Sequence, residues 1–383
     1  MTQPVVAIYR TQILPLSETF VRDQALALRR WHPVLIGERR IDALDLKGMA
    51  VAAQYNGTAT TAQRLGGLIR RTLGRTSPAL MALVRRQTPR LIHAHFGFDG
   101  VDAWPIAKSL GVPLLVTLHG ADITSRLEWF AAGHAGRRWK AYPQRLAALA
   151  AEPRVSFVAI SENIRRAAVA AGLPTERIFV RRIGIDTQNF VPAGLPISQR
   201  GPNILFLGRL VEKKGAAYLL TAFEALRRLH PTAQLVIAGD GPERAALESR
   251  AAVIGGVRFT GSFSRDEAQA LLAVARVFCL PSVTAASGDA EGLPLVILEA
   301  QASGVPVVTS ARGGAEEGIL DGITGYAFPE RDVAAMTARL YELLTDDALA
   351  ERFALGAPPF IAANHDVKTC TAALESLYDE LAG

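Results

Sequence analysis

The 383-residue sequence predicts an α/β protein made of two doubly wound, parallel-sheet domains in tandem. Three observations lead there. Short apolar runs alternate with helical patterns along the whole chain. Most of those runs are near-continuous rather than alternating, the habit of strands covered on both faces. The same grammar restarts after VPAGLPISQRGP (191–202), a Pro- and Gly-bearing segment with the composition of an interdomain linker.

In order, the first domain (1–190) offers the strands VVAIY, PVLIG, RLIHAHF, PLLVTLHG, VSFVAIS and RIFVRRIGI. Helical patterns such as SETFVRDQALALRRW and SENIRRAAVAAG lie between them. The second domain (203–363) offers NILFLGRL, AQLVIAGD, VRFTGSF, RVFCLPS and VPVVTSA. A C-terminal helix (364–383) places Cys370, Leu374, Leu377 and Leu381 at amphipathic spacing, so it needs a partner surface that either domain could supply. Sheets of this kind bind ligands at the carboxyl ends of their strands, so two facing domains would make a deep cleft.

Composition narrows the function. Hydrophobic residues make up 49% and charged residues 20%, an ordinary mix with material for real cores. Two cysteines, Cys279 and Cys370, can build neither a disulfide framework nor an all-cysteine zinc site, and both fall in apolar segments. A reducing cytoplasm fits. The start, MTQPVVAIYRTQ, has no secretory pattern, and no window reaches the ~18 uninterrupted apolar residues of a membrane span. The net charge of +6 is uneven: residues 1–190 hold 26 Lys and Arg against 13 Asp and Glu, and the remainder holds 16 against 23. A basic first half suits nucleic acid, anionic lipid or a phosphorylated substrate. Aromatics are not interleaved with the basic residues as nucleic-acid stacking platforms need.

The chemistry concentrates in the second half. In FLGRLVEKKG, Arg209 and Lys214 follow a strand that ends at Gly208. Two cations there can grip a diphosphate, Arg through its fork and Lys as a point charge; alone, they read equally as a solvated basic loop. In SGDAEGLPLVILEAQASGVPVVTS, Pro294 suits the first turn of a helix. Glu291 then stands in the loop before that helix and Glu299 inside it. The amides around Gly292 and Leu293 form an anion site. Glu291 is also explicable as a charge favoured near a helix N-terminus. Glu299, flanked by Leu298 and Ala300, costs free energy unless it is hydrogen-bonded.

The set LGRLVEKKG, IAGDGP, FTGSF, LPS and EGLPLVILEAQASGVPVV, with its E-x7-E spacing, resembles the GT-B glycosyltransferases of the GT4 type. The resemblance spans nearly the whole chain in order. It implies a GT-B fold, two Rossmann-like domains facing across a cleft, and a retaining transferase that uses a nucleotide-diphosphate sugar without a metal or other cofactor. Arg209 and Lys214 would hold the diphosphate, Glu291 the donor sugar and Glu299 the ribose, with Phe263 near the base. In VTLHGADI, His119 matches a family histidine beside the donor sugar, and Asp122 follows as an orienting or acceptor-contacting group; a histidine capping a strand end is the plainer reading of His119 by itself. His93, His95 and His119 could imitate a three-histidine zinc site, but no hydrolase pattern accompanies them. In TQILPLSETF, Ser17 is a candidate N-cap and Glu18 enters the helix, in a loop that borders donor and acceptor in the family. The combination SETF, HAHFG and LHGADI looks like transferases of the colanic acid and amylovoran type, whose partners would be a nucleotide-sugar donor (UDP- or GDP-linked) and a glycan or polyprenyl-diphosphate-linked acceptor.

Departures from other classes are informative. No D-x-D occurs, which disfavours a metal-dependent GT-A transferase, and no G-x-G-x-x-G follows the first strand. A sugar-nucleotide 2-epimerase of the same architecture and a non-catalytic basic binding protein are the competing readings; the second leaves Glu299 and the Arg209/Lys214 pair unexplained. The stretch AQRLGGLIRRTLGRTSPALMALVRRQ (62–87) mixes Arg64, Arg70, Arg71, Arg75, Arg85 and Arg86 with leucines. It reads either as a basic amphipathic surface for the inner face of the cytoplasmic membrane or as an ordinary surface helix pair.

Overall fold

In a computed structural model, the described residues are 3–15, 18–41, 43–72, 74–310 and 313–383, without the side chains of 68–72. They form two compact units. The first comprises 1–184 and 367–383, the second 185–366.

The first unit holds an eight-stranded, all-parallel sheet. Its strands are β1 (Val5–Tyr9), β2 (Gln12–Ile13), β3 (His32–Arg40), β4 (Ala50–Asn56), β5 (Leu91–His95), β6 (Leu114–Leu118), β7 (Val155–Ala159) and β8 (Ile178–Val180). The order is β2-β3-β1-β5-β6-β7-β8, with β4 also beside β3. The order reverses between β1, which pairs through Ala7 with Ile92, and β5. That parting is a topological switch point, where open α/β sheets leave a crevice beyond the strand ends. β5, β6 and β7 are buried at every position, as parallel strands covered by helices must be.

The second unit repeats the plan with six parallel strands: β9 (Asn203–Leu207), β10 (Gln234–Ala238), β11 (Val257–Gly261), β12 (Val277–Leu280), β13 (Val307–Ser310) and β14 (Gly325–Phe328). The order β11-β10-β9-β12-β13-β14 puts its switch point between β9 and β12.

The division between units differs from the composition-based one. The segment 191–202 belongs to the second unit, and the chain changes unit after Gly184 and again before Val367. Buried Arg200 explains this: its guanidinium donates to the carbonyls of Ala193, Leu195, Leu272 and Ala275. The Ile197 N–H donates to Glu351 Oε2 at 3.0 Å, and its carbonyl accepts from Arg276 at 3.2 Å. Proline and glycine here shape a fastened loop, not a free linker.

The final stretch also divides. Helix Asp347–His365 ends in the second unit, and helix Val367–Ala382 joins the first. Leu374, Leu377 and Tyr378 enter a core with Val6, Ile8, Val21, Leu28, Trp31 and Leu35. Glu375, 2% exposed, accepts the amides of Arg29, Arg30 and Trp31 at 2.8, 2.6 and 3.1 Å. Three donors that follow helix Thr19–Ala27 are thus satisfied by one carboxylate.

Of the basic stretch, helix Pro78–Arg86 turns Leu80 and Val84 inward, the surface-helix reading. In helix Thr61–Thr72, Leu65 is exposed, and the side chains of Leu68, Ile69, Arg70 and Arg71 and residue Leu73 lie outside the described residues. No helix among the described residues is long and apolar enough to cross a membrane.

Candidate active site

At the β9/β12 parting, the chain leaves β9 through Gly208, exposes Arg209, buries Leu210 and makes a 3-10 turn at Glu212–Lys214. Gly215 ends the turn at φ +70°, and a Cβ there would stand 1.8 Å from the Pro281 carbonyl oxygen. Only glycine lets the turn press against the end of β12. That approach carries Lys214 Nζ to 2.8 Å from Glu291 Oε1, and Lys213 Nζ to 3.1 Å from Asp289. The Ser282 hydroxyl stands 3.5 Å from the same Glu291 oxygen.

Glu291 is 7% exposed. Burial alone would raise its carboxyl, but Lys214 and Lys213, with hydrogen bonds from Lys214 and Ser282, outweigh it and hold the group below the usual glutamate value. Its backbone is fixed as well: the Gly314 amide donates to the Glu291 carbonyl at 3.0 Å. A Cβ on Gly314 would overlap the Gly292 carbonyl oxygen, so the strand β13 exit clamps the loop Glu291–Leu293.

Helix Leu295–Ala302 begins one residue later than Pro294, which stands at its N-cap; lacking an N–H, proline leaves no donor unpaired there. Glu299 lies half-buried in that helix's second turn. Phe263 is half-buried just past β11, two strands to the side of β9. Arg209, Lys214 and Glu291 therefore share one strand-end region, with Gly208, Gly292 and Leu293 as its backbone. Lys213, Asp289 and Ser282 belong to it too. Lys213 was visible as the first lysine of EKKG, but nothing local told which lysine faces Glu291.

The first unit has its own polar centre, at the β1/β5 parting. Arg10, just past β1, donates to Glu18 Oε2 at 2.9 Å, to Asp99 Oδ2 at 2.6 Å and to the His95 carbonyl at 2.7 Å. A second contact joins it to Glu18 Oε1. The Thr11 hydroxyl donates to Asp99 at 2.6 Å. Neither Arg10 nor Asp99 stood out in the sequence. The guanidinium lies 4.6 Å from the centre of the Phe96 ring, and Phe96 holds φ +70°, a strained value for a non-glycine residue. Ser17 lies outside the described residues; Glu18 occupies the helix cap position without a side-chain cap bond and is spent on Arg10 instead.

His119 Nε2 stands 3.0 Å from His95 Nδ1. His95 Nε2 is buried with no partner among the described residues. An unpaired acceptor costs less than an unpaired N–H, so the network assigns the His95 proton to Nδ1 and the His119 proton to its own Nδ1. Burial, then Arg10, keep His119 well below the usual histidine value, so it is neutral near pH 7. Asp122, 1% exposed, accepts the amides of Gly97 and Gly120 at 2.8 Å and of His119 at 3.1 Å. This geometry makes it an orienting group of the His119 loop. His93 bonds Tyr378 and Thr117 at 2.6 and 2.7 Å. The His93 and His95 rings are tilted at 34° with centroids 4.4 Å apart, those of His95 and His119 lie within 25° of parallel at 5.3 Å, and among the described residues no group of three or more His, Cys, Asp or Glu is arranged to hold a metal ion.

Residues 188–358 match the family described as glycosyl transferases group 1, and residues 17–189 match glycosyltransferase family 4. The chain is 31% identical over 298 residues to a glycogen synthase of Mycobacterium tuberculosis, covering 77% of this chain and 69% of that one. It is 31% identical over 281 residues to the amylovoran biosynthesis glycosyltransferase AmsK of Erwinia amylovora, covering 71% and 65%. Among solved structures, Anabaena Alr3699/HepE in complex with UDP-glucose superposes with a TM-score of 0.77 at 20% identity, covering 98% of this chain and 99% of that one. Sequence motifs, two parallel-sheet units with their switch-point residues, and these likenesses agree: the chain belongs to the GT4-type glycosyltransferases and has their GT-B fold.

Proposed function

We propose that this glycosyltransferase is a retaining, metal-independent hexosyltransferase that draws on a UDP- or GDP-linked sugar and serves bacterial surface polysaccharide synthesis. Its acceptor would be a glycan or a lipid-linked oligosaccharide. The observation that carries this reading is the Lys214–Glu291 pair, 2.8 Å apart beyond the ends of β9 and β12. The exopolysaccharide role is supported by the likeness to AmsK, and a nucleotide-sugar donor by the UDP-glucose bound in the Anabaena structure.

Transfer breaks the bond between the anomeric carbon and the diphosphate, and charge grows on the departing oxygen. A cation about 4 Å away is worth about 4 kcal/mol at an effective dielectric of 20. Arg209 and Lys214 supply two such charges, and the amides before helix Leu295–Ala302 add a preorganised dipole. Glu291 accepts from the sugar hydroxyls and holds the Lys214 side chain in place. Glu299 accepts from the ribose hydroxyls, and Phe263 lies against the base. In the first unit, His119, neutral and carrying its proton on Nδ1, is the donor to the sugar, with Glu18 on the acceptor side. The acceptor oxygen attacks the anomeric carbon on the side the diphosphate leaves, and its proton passes to a diphosphate oxygen. Association with an anionic membrane surface through helix Thr61–Thr72 belongs to the same proposal.

The test is donor-dependent release of nucleoside diphosphate, read with the anomeric configuration of the product by NMR. Retention of the donor's configuration, with turnover unchanged in excess EDTA, is the expected result. An inverted product or loss of turnover on chelation overturns the corresponding part.

A further inference from the structure

The turn between β14 and helix Val333–Thr345 is no part of the site described above, yet it grips the chain that leads into it. It is the tetrapeptide PERD (329–332), closed by the Asp332 amide on the Pro329 carbonyl at 3.0 Å. Its third residue, Arg331, holds φ +67°. Glycine is the usual choice at such a corner, because a side chain there is strained. Asp332 goes on to cap the helix, accepting the Ala335 amide at 2.9 Å. The backbone of the turn thus favours glycine at 331, and what arginine adds lies in its side chain.

That side chain reaches two places. Its Nε donates to the Tyr218 hydroxyl at 3.1 Å, and its Nη2 to the Thr284 carbonyl at 2.9 Å. Tyr218 lies in the first turn of helix Ala216–Leu229, just after Lys214 and Gly215. Thr284 lies in the loop that runs from β12 to Glu291. Glu330, whose side chain is 9% exposed, takes the rest of Thr284: Oε1 accepts its amide at 2.9 Å and Oε2 its hydroxyl at 3.2 Å. Two adjacent residues therefore occupy the amide, the hydroxyl and the carbonyl of one threonine.

The loop is fastened from the opposite side by the Lys214 turn. The Lys213 carbonyl accepts the Val283 amide at 2.8 Å, Glu212 accepts the Ala286 amide at 3.1 Å, and Lys213 Nζ meets Asp289. Ala286, Ser287 and Gly288 have little side chain to bury, so these bonds rather than packing order the loop. The Arg331 side chain is 49% exposed, and hydrogen bonds so open to water add little to global stability. Strain at its backbone and weak gain at its tip leave the fold with no need of this arginine. Strained residues of this kind gather at functional sites.

We propose that Arg331 and Glu330 are positioning residues of the donor site. They hold loop 283–290 in the arrangement that presents Glu291 and the Gly292 and Leu293 amides to the donor's sugar. This rests on the donor reading above, and neither residue is assigned a contact with the donor. Arg209, Glu299 and Phe263 are on other segments, so nucleotide binding is insensitive to the clasp while alignment of the sugar depends on it. A misplacement of about 1 Å at the reacting centre costs up to about 10²-fold in rate.

The test compares R331G and R331A with the wild type in the full chain. Both remove the clasp, but only R331G also relieves the backbone. Amide hydrogen exchange across 283–291 should quicken at least about tenfold in both. The Tm of R331G should equal or exceed that of the wild type and lie above that of R331A. Binding of UDP and GDP, by calorimetry, should stay within about twofold. Transfer of the sugar to water, read as release of UDP from UDP-glucose or GDP from GDP-mannose, should fall at least about tenfold in kcat with KM within about threefold. The proposal is overturned if exchange across 283–291 is unchanged in R331G, if kcat stays within about twofold of wild type, or if R331G loses Tm and nucleotide binding together, as a residue serving only the fold would. Where the wild type releases neither nucleotide, exchange and Tm decide. Failure of the donor reading would show separately, as absence of UDP and GDP binding to the wild type.

Discussion

Lys214 faces two demands. It neutralises buried Glu291; in the proposed reaction the same charge must also meet the diphosphate. Removing it strands a buried carboxylate at a cost of about 3 kcal/mol, so Lys214→Ala mixes stability with chemistry. Arg209 is exposed and separates them. R209A should lower kcat/KM by about 10²–10³-fold with little change in Tm, the size expected for one preorganised stabiliser of leaving-group charge; a rate within about twofold of wild type removes Arg209 from the site. His93 gives a pH prediction. Burial depresses it from 6.5 to about 3. Between those values the unfolded chain holds a proton that the folded chain does not. Stability is therefore full above pH 6.5 and falls by about 1.4 kcal/mol per pH unit as pH drops through that window. His95 and His119, lowered in the same direction, add to the slope. Unfolding of H93Q followed against pH should show the slope reduced by one group's share; an unaltered slope contradicts a neutral, buried His93. Lys214, Glu291 and His119 were legible in the sequence because each sits where an apolar run ends or begins. The Arg10–Asp99 pair was not, since its partners are 89 residues apart and meet only because β1 and β5 are neighbours.

Among the elements, helix Val367–Ala382 shows what periodicity can and cannot tell. Its apolar stripe predicted a docking surface, and Leu374 and Leu377 are buried as the stripe requires. The surface itself, around Trp31, was invisible, because no local signal links residues some 345 positions apart. The most telling residue on the helix is polar. Glu375 satisfies three amides, one buried and two part-buried, so Glu375→Ala leaves those donors without their acceptor and should cost about 3 kcal/mol. Denaturant unfolding measures this, and a cost under about 1 kcal/mol would mean water replaces the carboxylate. β4, whose AVAAQYN is alanine-rich and light in bulky apolar residues, also escaped the pattern, whereas strands such as NILFL and VSFVA announced themselves through bulk and β-branching. The 191–202 segment misled for another reason. Proline and glycine report local backbone shape, while the anchoring by Arg200 is a tertiary event.

For the molecule as a whole, the division at 184/185 and 366/367 makes only the second unit continuous in sequence. A fragment of residues 185–366 should therefore fold by itself and bind the donor's nucleotide. At a UDP or GDP concentration 100 times Kd its stability should rise by about 2.7 kcal/mol, read as a thermal shift. A folded fragment with no shift for any nucleoside diphosphate counts against the donor reading. Residues 1–184 alone lack the helix that closes their core and should remain protease-sensitive until a peptide of residues 367–383 is supplied. The same arrangement reverses the usual order of assembly. On a ribosome the segment that seals the first unit emerges behind all of the second, so the later unit can mature while its predecessor still waits, unsealed, for its closing helix.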